Sequence, residues 1–272
     1  MRTLRALALG ILTLTGSATQ ASSPLEVMQN RGDMLGWEAV GRLDLPSGFC
    51  TGVLVARDLV LTAAHCLFDR NSSAPINVSG AVFRAGYLNG QSLFERRVTS
   101  YEIADGFSYN GPVMIAQESA KDVALLRLDQ PVSASEARPF LIYQGQTTAR
   151  DVQVMSYGRG RAEAMSWQPS CNVLRQNEVL LEFDCDTTFG STGAPVFARE
   201  DGVIRILSLV SGNWQTDAGE NRVIGMKLKG IVEGLRTRIG AAPTVLPRVS
   251  TGARRITVGQ NKRTGGAKFL RP

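Results

Sequence analysis

Histidine is almost missing from this chain, because His65 is the single histidine among 272 residues. The four cysteines form no Cys-x-x-Cys pair, so the sequence lacks the ligand clusters that hold zinc, and we expect neither a metal nor a cofactor. Beyond the first 21 residues no apolar run is long enough for a membrane-spanning helix. Aromatic residues amount to 7% while glycine occurs 28 times, which favours short strands and turns over long helices.

The N-terminal end has the features of an export signal. Two arginines precede an apolar run from Ala6 to Leu14, and small residues follow, so residues 1–21 are predicted to be a secretory signal peptide. Cleavage after Ala18 and cleavage after Ala21 both fit the pattern. We therefore expect a secreted protein, extracellular or periplasmic, in which the four cysteines form disulfides. Four cysteines allow three pairings.

Acidic residues are absent from the C-terminal end. Residues 241–272 hold seven basic residues and no acid, and residues 1–21 hold two more basic residues, so the formal charge of +6 leaves −3 for residues 22–240. The high isoelectric point is therefore due to a basic tail. This tail lacks periodicity and is predicted to be disordered and dispensable for folding and catalysis. Binding of nucleic acid or cell wall through this tail is an alternative function, which is supported by the tail alone. We expect no nucleic-acid partner.

Between these ends the chain is long enough for a full-sized core, and its pattern is that of a strand-rich protein in two halves. Residues 22–36 are predicted to be a mobile lead-in, and a polar segment near residues 129–139 separates the halves. The second half closes on a helical spacing of apolar residues at 231, 232, 235 and 239. Strands are predicted near 37–45, 49–56, 59–63, 76–85, 92–103, 122–128, 151–157, 171–183, 194–198, 203–211 and 223–228.

Three motifs carry residues suited to acyl transfer, a reaction that needs a nucleophile, a base and a group that orients the base. A histidine titrates near neutral pH and serves as a base. A carboxylate at the start of an apolar strand is costly unless it is paired. A hydroxyl residue in a glycine-flanked turn projects as a nucleophile while backbone N–H groups converge beside it. The motifs are Leu61-Thr-Ala-Ala-His-Cys66, Lys121-Asp-Val-Ala-Leu-Leu-Arg-Leu128 and Gly190-Ser-Thr-Gly193.

Together the three motifs resemble those of the trypsin/chymotrypsin family of serine endopeptidases, including its bacterial members, over roughly residues 35 to 240. The resemblance implies an all-β fold of two antiparallel six-stranded β-barrels with an interdomain cleft and a C-terminal helix. Residues 37–130 would form the first barrel, and residues 131–240 the second barrel with the helix.

The resemblance also implies a role for each site residue. His65 corresponds to the catalytic base, and Asp122 to the partner that fixes its tautomer; the alternative for Asp122 is an exposed aspartate at the start of a strand. Thr192 stands where the family has its serine nucleophile. The backbone N–H groups of Gly190 and Thr192 correspond to the oxyanion donors. Ser211 stands where the family has a serine that supports the aspartate and contacts the substrate backbone.

Two positions of the turn depart from the family pattern. Threonine adds a methyl group to the nucleophile's Cβ, which restricts its rotamers and threatens the attack geometry. Ser191 stands where trypsin-like zymogens have an aspartate that pairs with a freshly cut N-terminus, so activation by that ion pair is not expected here. Ser191 should itself point away from His65, which makes it a poor substitute nucleophile.

Two further residues concern substrate binding. Asp186 stands where trypsin-like enzymes have the aspartate at the base of the specificity pocket, which would favour cleavage after Arg or Lys; the alternative is an exposed aspartate beside a disulfide. Asn213 stands where a glycine usually lines the pocket. The family's histidine-loop bridge implies a Cys50–Cys66 disulfide, which leaves Cys171–Cys185 as the second.

The function predicted from the sequence is that of a secreted trypsin-like endopeptidase with a His65–Asp122–Thr192 triad. Its partner would be a protein or peptide substrate, and a monomer is the default expectation. The alternative, from another class, is a catalytically impaired homologue that keeps the fold and binds peptide or protein. The retained histidine and aspartate favour the enzyme, and the threonine favours the binding protein.

Overall fold

A computed structural model describes residues 22–111, 116–146 and 149–240 of the chain. The predicted signal peptide, residues 1–21, and the predicted basic tail, residues 241–272, lie outside the described residues. The described part is mainly β-structure arranged as two antiparallel barrels, which confirms the predicted fold class. None of its helices is long and apolar enough to cross a membrane.

The segment predicted to be a mobile lead-in lies against the second barrel. It holds a short strand, β1 (Glu26–Val27), which pairs with a strand of that barrel, and a 3-10 turn at Arg31–Met34. The side chain of Asn30 caps this turn by accepting hydrogen bonds from two of its backbone N–H groups. Met28 and Met34 are both buried, so the segment also contributes to the core.

The first barrel is a closed sheet in the order β2-β3-β4-β7-β6-β5. Antiparallel hairpins connect most neighbours, and β5 pairs with β2 to close the barrel. A single helical turn, α1, precedes β7 and lies outside the sheet. The elements are β2 (Val40–Leu45), β3 (Gly48–Ala56), β4 (Leu59–Thr62), β5 (Val82–Ala85), β6 (Phe94–Ile103), α1 (Ala116–Ser119) and β7 (Ala124–Leu128).

The second barrel follows the order β8-β9-β10-β13-β12-β11 and closes through the pairing of β11 with β8. Its longest strand, β9, also pairs with β1 of the N-terminal segment. The elements are β8 (Asp151–Gly158), β9 (Arg161–Gln176), β10 (Leu180–Phe183), β11 (Pro195–Glu200), β12 (Val203–Gln215) and β13 (Asn221–Met226).

Several strands are buried on both faces, because each barrel has its own core and a third core lies between the barrels. On β3, Leu54 faces the interior of the first barrel while Val53 belongs to the core between the barrels. On β11, Val196 and Phe197 divide in the same way between the second barrel and the shared core. Side chains alternate along a strand, so two apolar environments produce a continuous apolar run. The shared core fixes one barrel against the other and thereby shapes the cleft.

The C-terminal helix α2 spans Ile231–Ile239, as its apolar spacing predicts. Val232 and Leu235 are buried in the shared core. Gly240 ends the helix in the left-handed conformation, which glycine adopts without strain. The guanidinium of Arg127 on β7 donates to the carbonyl of Ile239 at 2.7 Å, so the first barrel holds the helix end.

Two predicted strands differ from those observed. The segment predicted as one strand over 171–183 is the end of β9 and the whole of β10, joined by a hairpin, and β9 begins much earlier, at Arg161. The segment predicted as a strand over 76–85 contains a 3-10 turn at Val78–Gly80 and only the four residues of β5. Pro169 argues against a strand in the sequence, because proline is tolerated in a strand only at an edge or bulge. In the structure Pro169 lies where the pairing of β9 with β8 shifts register.

Candidate active site

His65 and Asp122 meet in the cleft, where two elements of the first barrel end. His65 lies on a 3-10 turn just after β4, and Asp122 lies just before β7, the strand that pairs with β4. Nδ1 of His65 is 2.7 Å from Oδ2 of Asp122, and the backbone N–H of His65 donates to Oδ1 at 2.8 Å. Both carboxylate oxygens therefore hold the same residue, one through its ring and one through its backbone.

Asp122 is completely buried, so its charge needs compensation inside the protein. Ser211, on β12 of the second barrel, supplies a third hydrogen bond: its hydroxyl donates to Oδ2 at 2.7 Å. The alternative of an exposed strand-start aspartate does not describe Asp122. A carboxylate fixed in this way keeps the proton of the imidazole on Nδ1 and leaves Nε2 free to accept one.

Tyr109 covers the imidazole and was not singled out from the sequence. Its ring is stacked on that of His65, with 6.2 Å between centroids and 12° between planes. Burial raises the pKa of the Tyr109 hydroxyl, with the negative charge of Asp122 adding to the effect and Arg70 opposing it. A neutral ring over His65 limits the access of water to the Asp122–His65 pair. The loop that carries this tyrosine gives no sequence signal for such a contact.

The turn at residues 190–193 approaches the first barrel so closely that two of its positions require glycine. Gly190 has φ +92° and Gly193 has φ +77°, both in the region where other residues are strained. A Cβ at Gly193 would lie 2.1 Å from Oγ1 of Thr62, and one at Gly190 would lie 2.3 Å from the ring of Phe49. The turn therefore packs against Phe49 of β3 and Thr62 of β4, the strand that leads to His65.

Thr51 on β3 joins this turn to the first barrel. Its backbone N–H donates to the carbonyl of Thr192 at 2.9 Å, and its hydroxyl donates to the carbonyl of Gly190 at 2.9 Å. The same hydroxyl accepts the backbone N–H of Tyr157, on β8 of the second barrel, at 3.0 Å. Thr51 is fully buried, and a threonine within an otherwise apolar strand was the one sequence signal for this contact.

Two backbone N–H groups of the turn remain available to a ligand. Within the described residues the N–H of Ser191 donates to Thr188 and that of Gly193 donates to Val210, whereas those of Gly190 and Thr192 donate to no protein acceptor. Free N–H groups on alternate residues of a tight turn can bind one anionic oxygen together.

Ser191 is fully buried and faces away from the cleft. Its hydroxyl oxygen accepts from the guanidinium of Arg161 at 3.0 Å and lies 3.2 Å from the carbonyl of Tyr157. The same guanidinium donates to the carbonyl of Ser156 at 2.8 Å. Burial lowers the pKa of Arg161 to about 10, against the opposing charge of Asp186. A cation therefore supports the turn from below, a contact that the sequence did not indicate.

Thr192 is positioned by its backbone rather than by its side chain. Its carbonyl is held by Thr51, but among the described residues its hydroxyl has no hydrogen-bond partner, His65 included. The structure thus brings His65, Asp122 and Ser211 into one network, and the Thr192 hydroxyl makes no hydrogen bond to it.

The residues predicted to bind the substrate side chain lie on the second barrel. Asp186 is exposed, and one of its carboxylate oxygens accepts from the side chain of Asn221 at 3.3 Å. This matches the second alternative from the sequence, an exposed aspartate next to a disulfide. The amide of Asn213 donates to the carbonyl of Thr187 at 2.7 Å. Asn213 therefore bridges the two segments that would form the walls of a specificity pocket.

Both predicted disulfides are confirmed. The Cys50–Cys66 bond ties β3 to the turn that carries His65, and the Cys171–Cys185 bond ties β9 to the segment before the turn at residues 190–193. Covalent links thus fix both halves of the site, and disulfides of this kind persist in oxidising compartments.

The comparison with known families agrees with the resemblance that the three sequence motifs indicate. The chain belongs to the family of the trypsin-like peptidase domain, whose model matches residues 50–204, more than half of the chain.

Relatives and solved structures are consistent with that membership. The chain is similar to a trypsin-like protease of Streptomyces glaucescens, with 30% identity over 118 residues that cover 43% of this chain and 35% of the relative. It is also similar to a glutamyl endopeptidase of Bacillus licheniformis, with 23% identity over 168 residues, 60% of this chain and 49% of the relative. The chain thus spans about half or less of the length of these curated relatives. Among solved structures, a Glu endopeptidase in complex with MPD superposes with a TM-score of 0.66 at 17% identity, over 81% of this chain and 98% of the other, which concerns the fold alone.

Proposed function

We propose that this protein is a secreted endopeptidase that hydrolyses peptide bonds through an acyl-enzyme, with Thr192 as nucleophile, His65 as general base and Asp122 as the orienting carboxylate. One observation carries the proposal. The buried Asp122 and its partner His65, joined by Ser211, lie next to a turn whose N–H groups at Gly190 and Thr192 donate to no acceptor among the described residues.

The steps follow from these positions. Nε2 of His65 accepts the proton of the Thr192 hydroxyl as Oγ1 attacks the carbonyl carbon of the substrate. The N–H groups of Gly190 and Thr192 donate to the resulting oxyanion. His65, now positively charged and stabilised by Asp122, gives its proton to the leaving amine, and the acyl group stays on Thr192. A water molecule, deprotonated by His65, then releases the acyl group and restores the hydroxyl.

Secretion is part of the proposal and has two supports. The N-terminal residues carry the pattern of a signal peptide, and the described part of the chain contains two disulfides and no free cysteine. A cytosolic compartment would reduce such bonds. Mass spectrometry of the protein recovered from culture medium or periplasm, with its N-terminus at Thr19 or Ser22, tests this part. Recovery in the cytosol with an intact N-terminus would contradict it.

The second candidate is a homologue that binds peptides without cleaving them, and the unengaged Thr192 hydroxyl favours it. A fluorophosphonate probe separates the two candidates. The enzyme should be labelled on Thr192, and a His65→Ala variant should not, because the base is then missing. A folded protein that reacts with no probe and cleaves no member of a mixed peptide library would instead be a binding protein.

Cleavage after Arg or Lys remains a prediction for this enzyme. The exposed position of Asp186, together with its interaction with the nearby Arg161, weakens its attraction for a basic side chain. Sequencing of the products from a peptide library measures the preference directly. Cleavage after acidic or aliphatic residues would contradict it.

A further inference from the structure

A groove of about 360 Å³ begins at His65 and lies between the first barrel and two turns of the second, at residues 159–162 and 189–190. It is lined by His65 and Gly190 at one end and continues past Phe49 and the Cys50–Cys66 disulfide. The specificity-pocket segments, residues 186–188 and 211–215, take no part in its lining. A substrate whose acyl side lies against Ser211 and Asn213 would therefore place its leaving-group side in this groove. This assignment rests on the proposed function.

Two arginines from different loops meet at the mouth of the groove on one aromatic ring. The guanidinium of Arg159 lies 4.2 Å from the centroid of Phe189, and that of Arg70 lies 5.2 Å from it. The backbone N–H of Arg159 also donates to the carbonyl of Phe189 at 2.6 Å, which fixes the first of these contacts. Phe189 directly precedes Gly190, so both cations lie close to the proposed oxyanion site.

Neither arginine has an acidic partner in the described part of the chain, where no ion pair or side-chain hydrogen bond involves them. Two acidic residues close to these arginines in sequence, Asp69 and Glu163, are engaged elsewhere. The carboxylate of Asp69 accepts three hydrogen bonds within its own loop, from Asn71 and Ser72, which lower its pKa. Glu163 accepts from Tyr87 and Arg42.

This leaves two exposed cations on one ring, in a groove whose lining contains no carboxylate. Cation–π contact holds each guanidinium near the ring but does not neutralise its charge. Both guanidinium groups can therefore accept an anion that enters the groove from outside, and guanidinium groups bind carboxylates by paired hydrogen bonds.

We propose that the groove recognises an acidic side chain, Asp or Glu, within the first two residues after the scissile bond, and that Arg70 and Arg159 bind its carboxylate. The pair would act on specificity for the leaving-group side of the substrate, independently of the residue before the scissile bond.

The test uses internally quenched peptides that differ only at these two positions, as Asp/Glu, Asn/Gln or Lys, assayed with the native chain and with Thr192→Ser. The acidic peptides should show about tenfold higher kcat/KM than the amide peptides. An Arg70→Gln/Arg159→Gln variant should lose this preference and keep its rate on the amide peptides. Arg199→Gln, an exposed arginine on the outer face of β11, is the matched control and should change neither. The preference should also weaken as salt is raised.

A binding measurement separates failure of the groove from failure of the proposed function. Fluorescence anisotropy with Thr192→Ala gives the affinity for the same acidic and amide peptides without turnover. Suppose that acidic peptides bind selectively, that the double arginine variant loses this selectivity, and that the native chain cleaves no peptide. This result would support the proposed acidic specificity of the groove and overturn the proposed endopeptidase activity. Cleavage at equal rates for all peptides would overturn the groove and support the endopeptidase. Equal affinity for acidic and amide peptides, together with no cleavage by the native chain, would overturn both proposals.

Discussion

Arg161 and Ser191 form a contact beneath the turn at residues 190–193: Nη2 of the arginine lies 3.0 Å from the hydroxyl oxygen of the serine. The serine stands directly before Thr192, so the guanidinium supports the turn from within the same chain. It acts where trypsin-like zymogens use an aspartate and a newly cut N-terminus. We therefore expect the turn to keep its shape without an ion pair made by proteolysis.

Removal of this support should slow catalysis more than it weakens binding. In Arg161→Met the turn loses its donor, the N–H groups of Gly190 and Thr192 shift, and kcat should fall about tenfold or more while KM changes little. Arg161→Lys, which restores a cation with fewer donors, should recover part of the rate. Steady-state kinetics with circular dichroism as the folding control measures this. Unchanged kcat in folded Arg161→Met would show that the turn keeps its shape without the arginine.

The methyl group of Thr192 should be the main limit on activity. Thr192→Ser keeps the hydroxyl on the same Cβ and frees its rotation, so peptidase activity should rise about tenfold or more if misplacement of the hydroxyl is what limits the rate. Thr192→Ala should lose the activity of the native chain beyond the background from binding and the oxyanion donors.

Both variants should unfold in denaturant at nearly the same midpoint as the native chain, because Thr192 is held by its backbone carbonyl. Absence of hydrolysis by well-folded Thr192→Ser would favour the binding protein over the enzyme.

The two disulfides should differ in their effect on activity although they close loops of similar length. Their sequence separations are 16 and 14, so removal of either by a double Cys→Ala substitution should cost about 3 kcal/mol of unfolding free energy. Loss of Cys50–Cys66 should also lower kcat, because Cys66 adjoins His65. Urea unfolding and kinetics on both variants test the difference. An equal loss of kcat in the two would mean that the bond does not position the histidine.

Glu136 should stabilise the protein in a pH-dependent way. Hydrogen bonds from the backbone N–H and hydroxyl of Ser133 and from Arg96 lower its pKa from 4.5 to about 2. Because the folded-state pKa lies below the unfolded value, the stabilisation is complete above about pH 4.5 and is lost as the pH falls towards 2.

Glu136→Gln should therefore cost about 1 kcal/mol at pH 7 and progressively less below pH 4.5. Unfolding free energies of both proteins at several pH values give this difference. A difference in unfolding free energy that stays constant with pH would mean that the carboxylate charge does not cause the stabilisation.

The sequence predicts the features that depend on local pattern. Helix α2 follows from its apolar spacing, and His65 was found because its motif is specific. The two-barrel fold and the disulfide pairing were predicted through the resemblance of the three motifs to a known family. The contacts of Arg161 with Ser191 and of Thr51 with the turn were missed, because each joins residues far apart in sequence and leaves no periodic signal.

The first part of strand β9, before Cys171, was missed for a related reason as well as for Pro169. Its buried residues include Ser166 and Gln168, and Gln168 is satisfied by the carbonyl of Ser23 and the backbone N–H of Asp186. Polar residues with distant partners resemble a surface loop when only the local sequence is considered.

The position of Thr51 has a consequence for how the protein can be divided and recombined. One residue of the first barrel fixes the carbonyls of Gly190 and Thr192, which belong to the second barrel, so neither half holds the reaction centre in shape alone. A chimaera that takes its first barrel from another member of the family would have to bring a matching hydroxyl at this position. Separately expressed halves would regain hydrolysis only after reassociation, which makes activity a direct reporter of correct docking between them.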